Sequence, residues 1–422
     1  MSRTQILIFS GLGIAMLVLV LVIFSVGRKP PAPQPATLEF WGIGDDESVW
    51  SEVLTKFKEN FPHITVNYRR LDLAGYEETL LNRLAEGKGP DIFLLKNSWT
   101  TKHRDKIFPL PQSYLKFSPS DFKKLFVDGA YDDLVEEGGQ ILGLPLFLDT
   151  PVLFYNKDTF NSAGIALAPQ TWEDTLNLSQ KLTASAPSGD IIKSGLALGS
   201  TKNVEHWFEI INSLIFQQGD RIINPQTKNT MLGLASVKAL TFFSSFASGS
   251  SANFSWTSRR QNSLDDFAEG QTAMVIGLSG DIRRIQAKNP HMNFGIAPFP
   301  QTADAKSAIL YGTYFFPTVS KFTKNPGQAW QFIYFLTAQD GAKIYLEKTR
   351  RPAARRDLIA AGGPAGLETF YKQSLIARSW PIPDENATLR IFGDAVESII
   401  TRATTPEQAT ARIEEQLKLL LQ

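Results

Sequence analysis

Two long apolar runs in this 422-residue chain are each interrupted at their centre, and nothing else in the sequence constrains the fold as much. The first, ILGLPLFLDTPVLFYNKDTF, extends from Ile141 to Phe160 and carries Asp149, Thr150 and Pro151 in its middle. The second, AILYGTYFFPTV, extends from Ala308 to Val319 and is broken at Gly312. A strand inside one core does not normally hold a carboxylate and a proline, since the charge is costly to bury and proline has no N–H for the ladder. Each run therefore reads as a crossover, in which a strand leaves one sheet, passes a hinge and enters a second sheet. Hinges are a few residues at element ends that absorb backbone rotation. Polar residues there would sit at the floor of a cleft between two lobes, where ligands are usually held. The plainer reading of Asp149-Thr150-Pro151 is a bulge or turn within one sheet, and the run alone leaves both open.

The flanking sequence is α/β in rhythm. Thr37–Asp46 is a short strand entering a glycine-containing loop, and Trp50, Val53, Leu54, Phe57 and Phe61 repeat at helical spacing. Ile64–Leu71 alternates as a strand, a helix follows around Tyr76–Leu84, and Asp91–Lys96 is a buried strand. Strand, helix, strand, helix, strand predicts a parallel sheet, with ligands in the loops after its carboxyl ends. Those loops hold Trp41, Asp45, Asn97 and Trp99. Beyond the first broken run come a helix over Pro169–Thr183, a strand over Ser194–Ser200, a helix capped by Asn203, and strands over Thr272–Leu278 and Asn293–Pro300. After the second, helices dominate. Thr405-Pro406-Glu407-Gln408 has capping-box spacing; Thr171 and Asp174 share it with Asp in place of Glu or Gln.

This length exceeds one ordinary core, and 43% hydrophobic with 20% charged residues is a globular composition. A net charge of +1 argues against nucleic acid as a partner. No cysteine means no disulfide, thiolate metal site or cysteine nucleophile, and the four histidines have no metal-ligand spacing. No cofactor is expected. Ile6–Val26 carries no charge and is long enough to cross a bilayer. Residues 1–28 read as an uncleaved signal anchor, the alternative being a signal peptide cut after Gly27. Residues 29–36 are a proline-rich tether. The body would then lie on the extracytoplasmic face of the cell membrane, held by a single pass.

An ordered set of short stretches resembles extracellular solute-binding protein family 1 of ABC importers, which includes sugar-binding proteins. Leu38–Asp46 is similar to that family's first strand and loop. Gly87-Lys88-Gly89-Pro90-Asp91-Ile92 matches its "G-x-G-P-D-I" pattern. Gly143–Leu146 with Leu153–Lys157 matches "G-L-P-L" then "L-F-Y-N-K", and Gly164–Asp174 and Phe267–Gly277 match two more. "A-P-F-P", the "A-W-x-F-I" helix and the terminal "T-P-E-Q-A" helix complete a series covering nearly all of residues 37–422. The resemblance implies a two-lobed periplasmic-binding-protein-like α/β fold. Lobe 1 would be 37–148 plus 308–348, and lobe 2 would be 149–307 plus 349–422. It further implies capture of a solute by lobe closure, delivery to an ABC permease, a monomer, and no turnover.

A sugar offers apolar C–H faces and a rim of hydroxyls, so aromatic rings and polar side chains together would recognise it. The candidates are Trp41, Trp99, Tyr155, Trp207, Trp256, Tyr314 and Trp380 for the faces, with Asp45, Asn97, Asp149, Asn203 and Arg350 for the rim and Gly312 at its edge. Many of these rings would serve equally well as lobe packing, and Trp50, Trp172 and Trp330 read as core. Sugar-binding members of the family often carry a tryptophan after the "A-M-V-I-G" strand, where this chain has Ser279-Gly280. Ser279 at a helix start could instead hold an oxyanion, and Arg350, Arg351, Arg355 and Arg356 could favour an acidic solute. The plainer reading of those arginines is a solvated basic face. Two rival functions remain: a sensor or adhesion ectodomain using the same cleft, and a glycan hydrolase, for which Asp45 and Asp149 carry no motif marking them as a catalytic pair.

Overall fold

A computed structural model describes residues 34–421 apart from 112–113, 225–226, 228 and 304–306. The proposed anchor and most of the tether lie outside the described residues. Among the described residues no helix is long and apolar enough to cross a membrane.

The chain opens with β1 (Ala36–Ile43), a helix Glu47–Asn60, β2 (Ile64–Leu71), a helix Tyr76–Ala85 and β3 (Ile92–Lys96). β1 lies between β2 and β3 and is parallel to both. Alternate residues of β1 are inward, and Leu38 and Phe40 are fully buried. Phe40 meets Trp50 edge-on at 5.0 Å and Phe332 at 5.7 Å, so the helices Glu47–Asn60 and Pro326–Thr337 share one face of this sheet. Burying rings of this size is worth roughly 1.5–3 kcal/mol each, which fixes the sheet as the first lobe's core.

The first crossover delivers β4 (Val152–Asn156) into a second sheet with β5 (Ala184–Ser185), β6 (Ile191–Ala197), β7 (Thr272–Gly277) and β8 (Phe294–Pro298), in the order β5-β6-β7-β4-β8. The second crossover holds β9 (Leu310–Tyr311) and then β10 (Phe315–Val319), which returns to the first sheet antiparallel to β3, giving the order β10-β3-β1-β2. The broken apolar runs are thus crossovers between two sheets. They are also bonded to one another: Asp149 and Thr313 exchange N–H···O bonds of 3.0 Å in each direction. A third crossing, β11 (Ala377–Arg378), pairs with β9, and the carbonyl of Arg378 accepts from Gly312 N–H at 2.8 Å. Gly312 is required there, since a Cβ would stand 2.9 Å from both Leu148 and Ala377.

The expected lobe boundary after residue 348 needs correction. Helix Arg356–Ala360 packs on Pro119–Leu125, Val127 N–H donates to Ala354 O at 3.0 Å, and Ala353 bridges Phe147. This segment therefore sits with the first lobe, and the chain returns to the second only at helix Glu368–Ser374 against β8. Helices Glu385–Ile400 and Pro406–Leu420 then pack on Leu234–Ser245. Both capping boxes form, at Thr171/Asp174 and at Thr405/Gln408. Asn203 does not cap: the helix begins at Trp207, after His206 in left-handed backbone with φ 56°.

Candidate functional site

A cleft of about 610 Å³ opens between the lobes, beside the bonded crossovers. Its floor is Asp149, Thr313 and Tyr314. The first lobe adds Leu73, Lys96, Phe147, Phe315 and Arg351, and the second adds Thr201–Glu209, Asn262, Leu278–Asp281, Glu385 and Leu389. Loop ends supply nearly all of this lining, as an α/β sheet with ligands beyond its strand ends requires.

Asp149 is 6% exposed and accepts from Ser279 N–H at 3.1 Å, Ser279 Oγ at 2.5 Å and Thr150 N–H at 3.0 Å. Burial pushes its carboxyl up to about 6, against the pull of those donors. At the same helix start, Asp281 accepts from Leu278 N–H at 2.7 Å. The oxyanion position expected at Ser279 is therefore filled by the chain's own carboxylates. His206 Nε2 lies 2.7 Å from Asp281 Oδ2. Burial works against the imidazolium, but the Asp281 charge outweighs it and raises His206 to about 9.

The other lining cations are matched in the same way. Lys96 meets Glu385 at 2.5 Å, Arg351 meets Asp45 at 3.2 Å, and Lys202 faces Glu397 at 3.6 Å. Glu205 takes Asn262 at 2.7 Å and Arg284 at 2.9 Å. The arginine cluster is neither a solvated face nor an anion trap. Arg355 is 7% exposed and paired with Asp357 at 2.6 Å, Arg356 with Asp128 at 2.6 Å, and Arg350 donates to Ala365 O at 2.8 Å. Arg350 closes its helix in left-handed backbone and turns away; its neighbour Arg351 reaches the cleft, stacked over Phe147 at 4.5 Å.

Of the residues singled out from the sequence, Asp149, Asn203, Trp207, Ser279 and Tyr314 line the cleft. Trp207 is half-buried on the second-lobe wall. Asn203 accepts from Trp256 Nε1 at 3.0 Å and donates to the carbonyls of Thr257 and Arg260, so it holds its own loop in place. Tyr314 is almost wholly buried and donates to Asp133 at 2.8 Å. Three others stand one layer back. Asp45 anchors Arg351 and accepts from Tyr345 at 2.8 Å; Asn97 donates to Gly312 O at 3.2 Å; Trp99 meets Phe315 edge-on at 5.9 Å.

The remaining candidates do not reach the cleft. Trp41 lies under Arg69 within the first sheet, and Trp256 is fully buried beneath Arg260. Tyr155 is at the far end of β4, packed on Phe160 at 4.9 Å. Gly312 is sealed in the crossing. Trp380 donates to Asn212 at 2.7 Å and lines a different cavity of about 740 Å³, with Tyr131, Asp133 and Phe216. Sequence reasoning missed His206, Glu385, Lys96 and Phe147, and it named Arg351 only as one of the arginine cluster. The left-handed turn before Trp207 leaves no mark in residue types, and Glu385 hides behind Asp384, the helix cap. Among the described residues no group of three or more ligating side chains is placed to hold a metal.

A family model for bacterial extracellular solute-binding proteins matches residues 42–343. The sn-glycerol-3-phosphate-binding periplasmic protein UgpB of Shigella flexneri serotype 5b (strain 8401) is 27% identical over 325 residues, covering 70% of each chain. UgpB of Escherichia coli (strain K12) is 25% identical over 328 residues, again covering 70% of each. The sugar-binding protein MalE of Xanthomonas citri superposes with a TM-score of 0.77 at 19% identity, over 92% of this chain and 97% of that one. Both the fold and the extracytoplasmic location agree with these matches, whose relatives are binding proteins. The interlobe cleft is thus the candidate site of a chain that belongs to the bacterial extracellular solute-binding protein family.

Proposed function

We propose that this protein captures a neutral, polyhydroxylated solute, a carbohydrate, in the interlobe cleft and hands it to an ABC permease. The pairing of every lining cation with a carboxylate carries this reading. An anionic solute is favoured by an uncommitted cation or an open helix N-terminus, and here the cations face carboxylates and the Ser279 helix start is taken by Asp149 and Asp281, whereas a polyol needs donors and acceptors that are already fixed. Glu205, Asn262, Glu385 and His206 supply these, and Trp207 with Phe315 supplies apolar faces from opposite lobes. Closure about the bonded crossovers would bring the two walls onto one ligand. Residues 1–28 would hold the protein, as a monomer, at the membrane.

Thermal unfolding of the purified protein with mono- and oligosaccharides, sugar phosphates and sn-glycerol 3-phosphate tests this. A ligand of the folded state at a hundredfold over its Kd adds roughly 2.7 kcal/mol. A saturable rise with one sugar class, lost in Trp207→Ala, is expected. A rise with sn-glycerol 3-phosphate alone would replace the carbohydrate reading with an anionic one, the solute class named for the UgpB relatives.

A further inference from the structure

Glu385 begins the helix Glu385–Ile400, which belongs to the second lobe, yet its bonding partners are in the first. Its carboxylate takes Lys96 Nζ at 2.5 Å, Ser98 Oγ at 2.8 Å and Trp99 Nε1 at 2.5 Å. The residue before it repeats the pattern: Asp384 meets Lys102 at 2.8 Å, and Lys102 is also 3.0 Å from Glu77. Lys96 and Glu385 line the solute cleft, while Lys102 and Asp384 do not. The bridge therefore starts at the cleft wall and continues away from it, closing the space between the lobes on that side.

This contact differs from the hinge. The crossovers are covalent and remain joined whatever the lobes do. The bridge is made by side chains alone, and separating the lobes would break it. Glu385 is 9% exposed, so opening would strip a buried carboxylate of all three donors at once and leave Lys96 without its counter-ion. Losing these donors is costly wherever the freed carboxylate and ammonium stay shielded from water, since a buried charge is then left uncompensated.

We propose that Glu385 is a clasp between the lobes that forms one wall of the cleft, and that it determines which solutes fit by blocking extension of the ligand on that side. Resting on the carbohydrate reading above, this restricts the site to mono- or disaccharides. The solutes named for the relatives extend beyond these limits, from sn-glycerol 3-phosphate to the maltotetraose bound by a cyclo/maltodextrin-binding protein. The clasp places this chain at the short end.

The chain has no cysteine, so two introduced ones can be labelled without background. Asp72→Cys in the first lobe and Arg259→Cys in the second offer side chains 83% and 84% exposed, and neither lines the cleft. Inter-label distance is read by electron-spin dipolar spectroscopy on the full-length protein without solute. The expected result is a short, narrow distribution that lengthens and broadens in Glu385→Ala. Ser98→Ala with Trp99→Phe removes two donors from the opposite lobe and should give the same shift, which covers the case in which Glu385→Ala does not fold. Unchanged distances in both would overturn the clasp. Binding of glucose, maltose, maltotriose and maltotetraose is then compared: the two longer sugars should gain at least tenfold in Glu385→Ala. Maltotetraose binding the parent protein as tightly as maltose would overturn the size limit. Silence of every sugar would count against the carbohydrate reading and leave the clasp to the distance measurement, which needs no solute.

Discussion

Replacing Asp149 by Asn isolates the cost of keeping a charge beneath the cleft floor. Burial raises this carboxyl from an ordinary 3.8 to about 6. Between those values the unfolded chain has released the proton while the folded chain still holds it. Stability therefore falls as pH rises through this window and levels off above it. At roughly 1.4 kcal/mol per pKa unit, the loss attributable to Asp149 is about 3 kcal/mol. Asn keeps an oxygen for Ser279 N–H, and Ser279 Oγ can turn to accept from the amide, so the geometry survives. Asp133, also buried and raised to about 6, contributes a similar slope that the substitution leaves in place. Urea unfolding followed by tryptophan fluorescence, at half-unit steps from pH 4 to 7.5, gives both curves. The variant should gain about 3 kcal/mol on its parent between pH 4 and pH 7. Parallel curves would show that Asp149 is not held in a medium that disfavours its charge, and the assignment of the floor as buried would fail with it.

His206 gives a slope of the same sign at higher pH. Its raised value means that stability is fully present below about 6.5 and lost as pH climbs to about 9, and His206→Asn, which tolerates the left-handed backbone, should flatten that interval in the same unfolding assay. Gly195→Ala would place a Cβ 2.0 Å from Ser179 O and should cost at least about 2 kcal/mol by urea midpoint. Trp330→Ala, at a fully buried site in the first lobe, should cost about 3–5 kcal/mol by the same measure. Thr405→Ala removes one half of a formed capping box and should cost about 1 kcal/mol.

The two-sheet architecture was legible because breaking an apolar run with Asp149-Thr150-Pro151 or Gly312 is expensive unless the chain changes sheets. Strand positions followed from periodicity, and the span predicted for β2, Ile64–Leu71, is the span observed. The third crossing at Ala377–Arg378 was not legible: a strand of two residues has no period. The cleft was legible where a residue sits on a crossover or strand end, as Asp149, Ser279 and Tyr314 do. It was not where contact depends on distant chain. Glu385 and Lys96 are 289 residues apart, and no local pattern pairs them. Aromatic residues misled for a physical reason. Trp256 stands in a polar loop, but Asn203 takes its N–H and Arg260 covers its ring, so polar neighbours signalled burial and not exposure.

The position of β10 dictates an order of events during folding. It completes the first sheet by pairing with β3, across a junction where Asn97 and Tyr314, bonded through backbone and side chain, are 217 residues apart. Until the chain has been made and exported as far as Val319, the apolar strand Ile92–Lys96 has an open edge and no partner there. Open apolar edges template pairing with other chains, and closing so long a loop is slow. The whole second sheet, from β4 to β8, is threaded through that interval. The first lobe therefore cannot finish ahead of it, and a chain that stalls in mid-translocation presents IFLLK to whatever strand it meets.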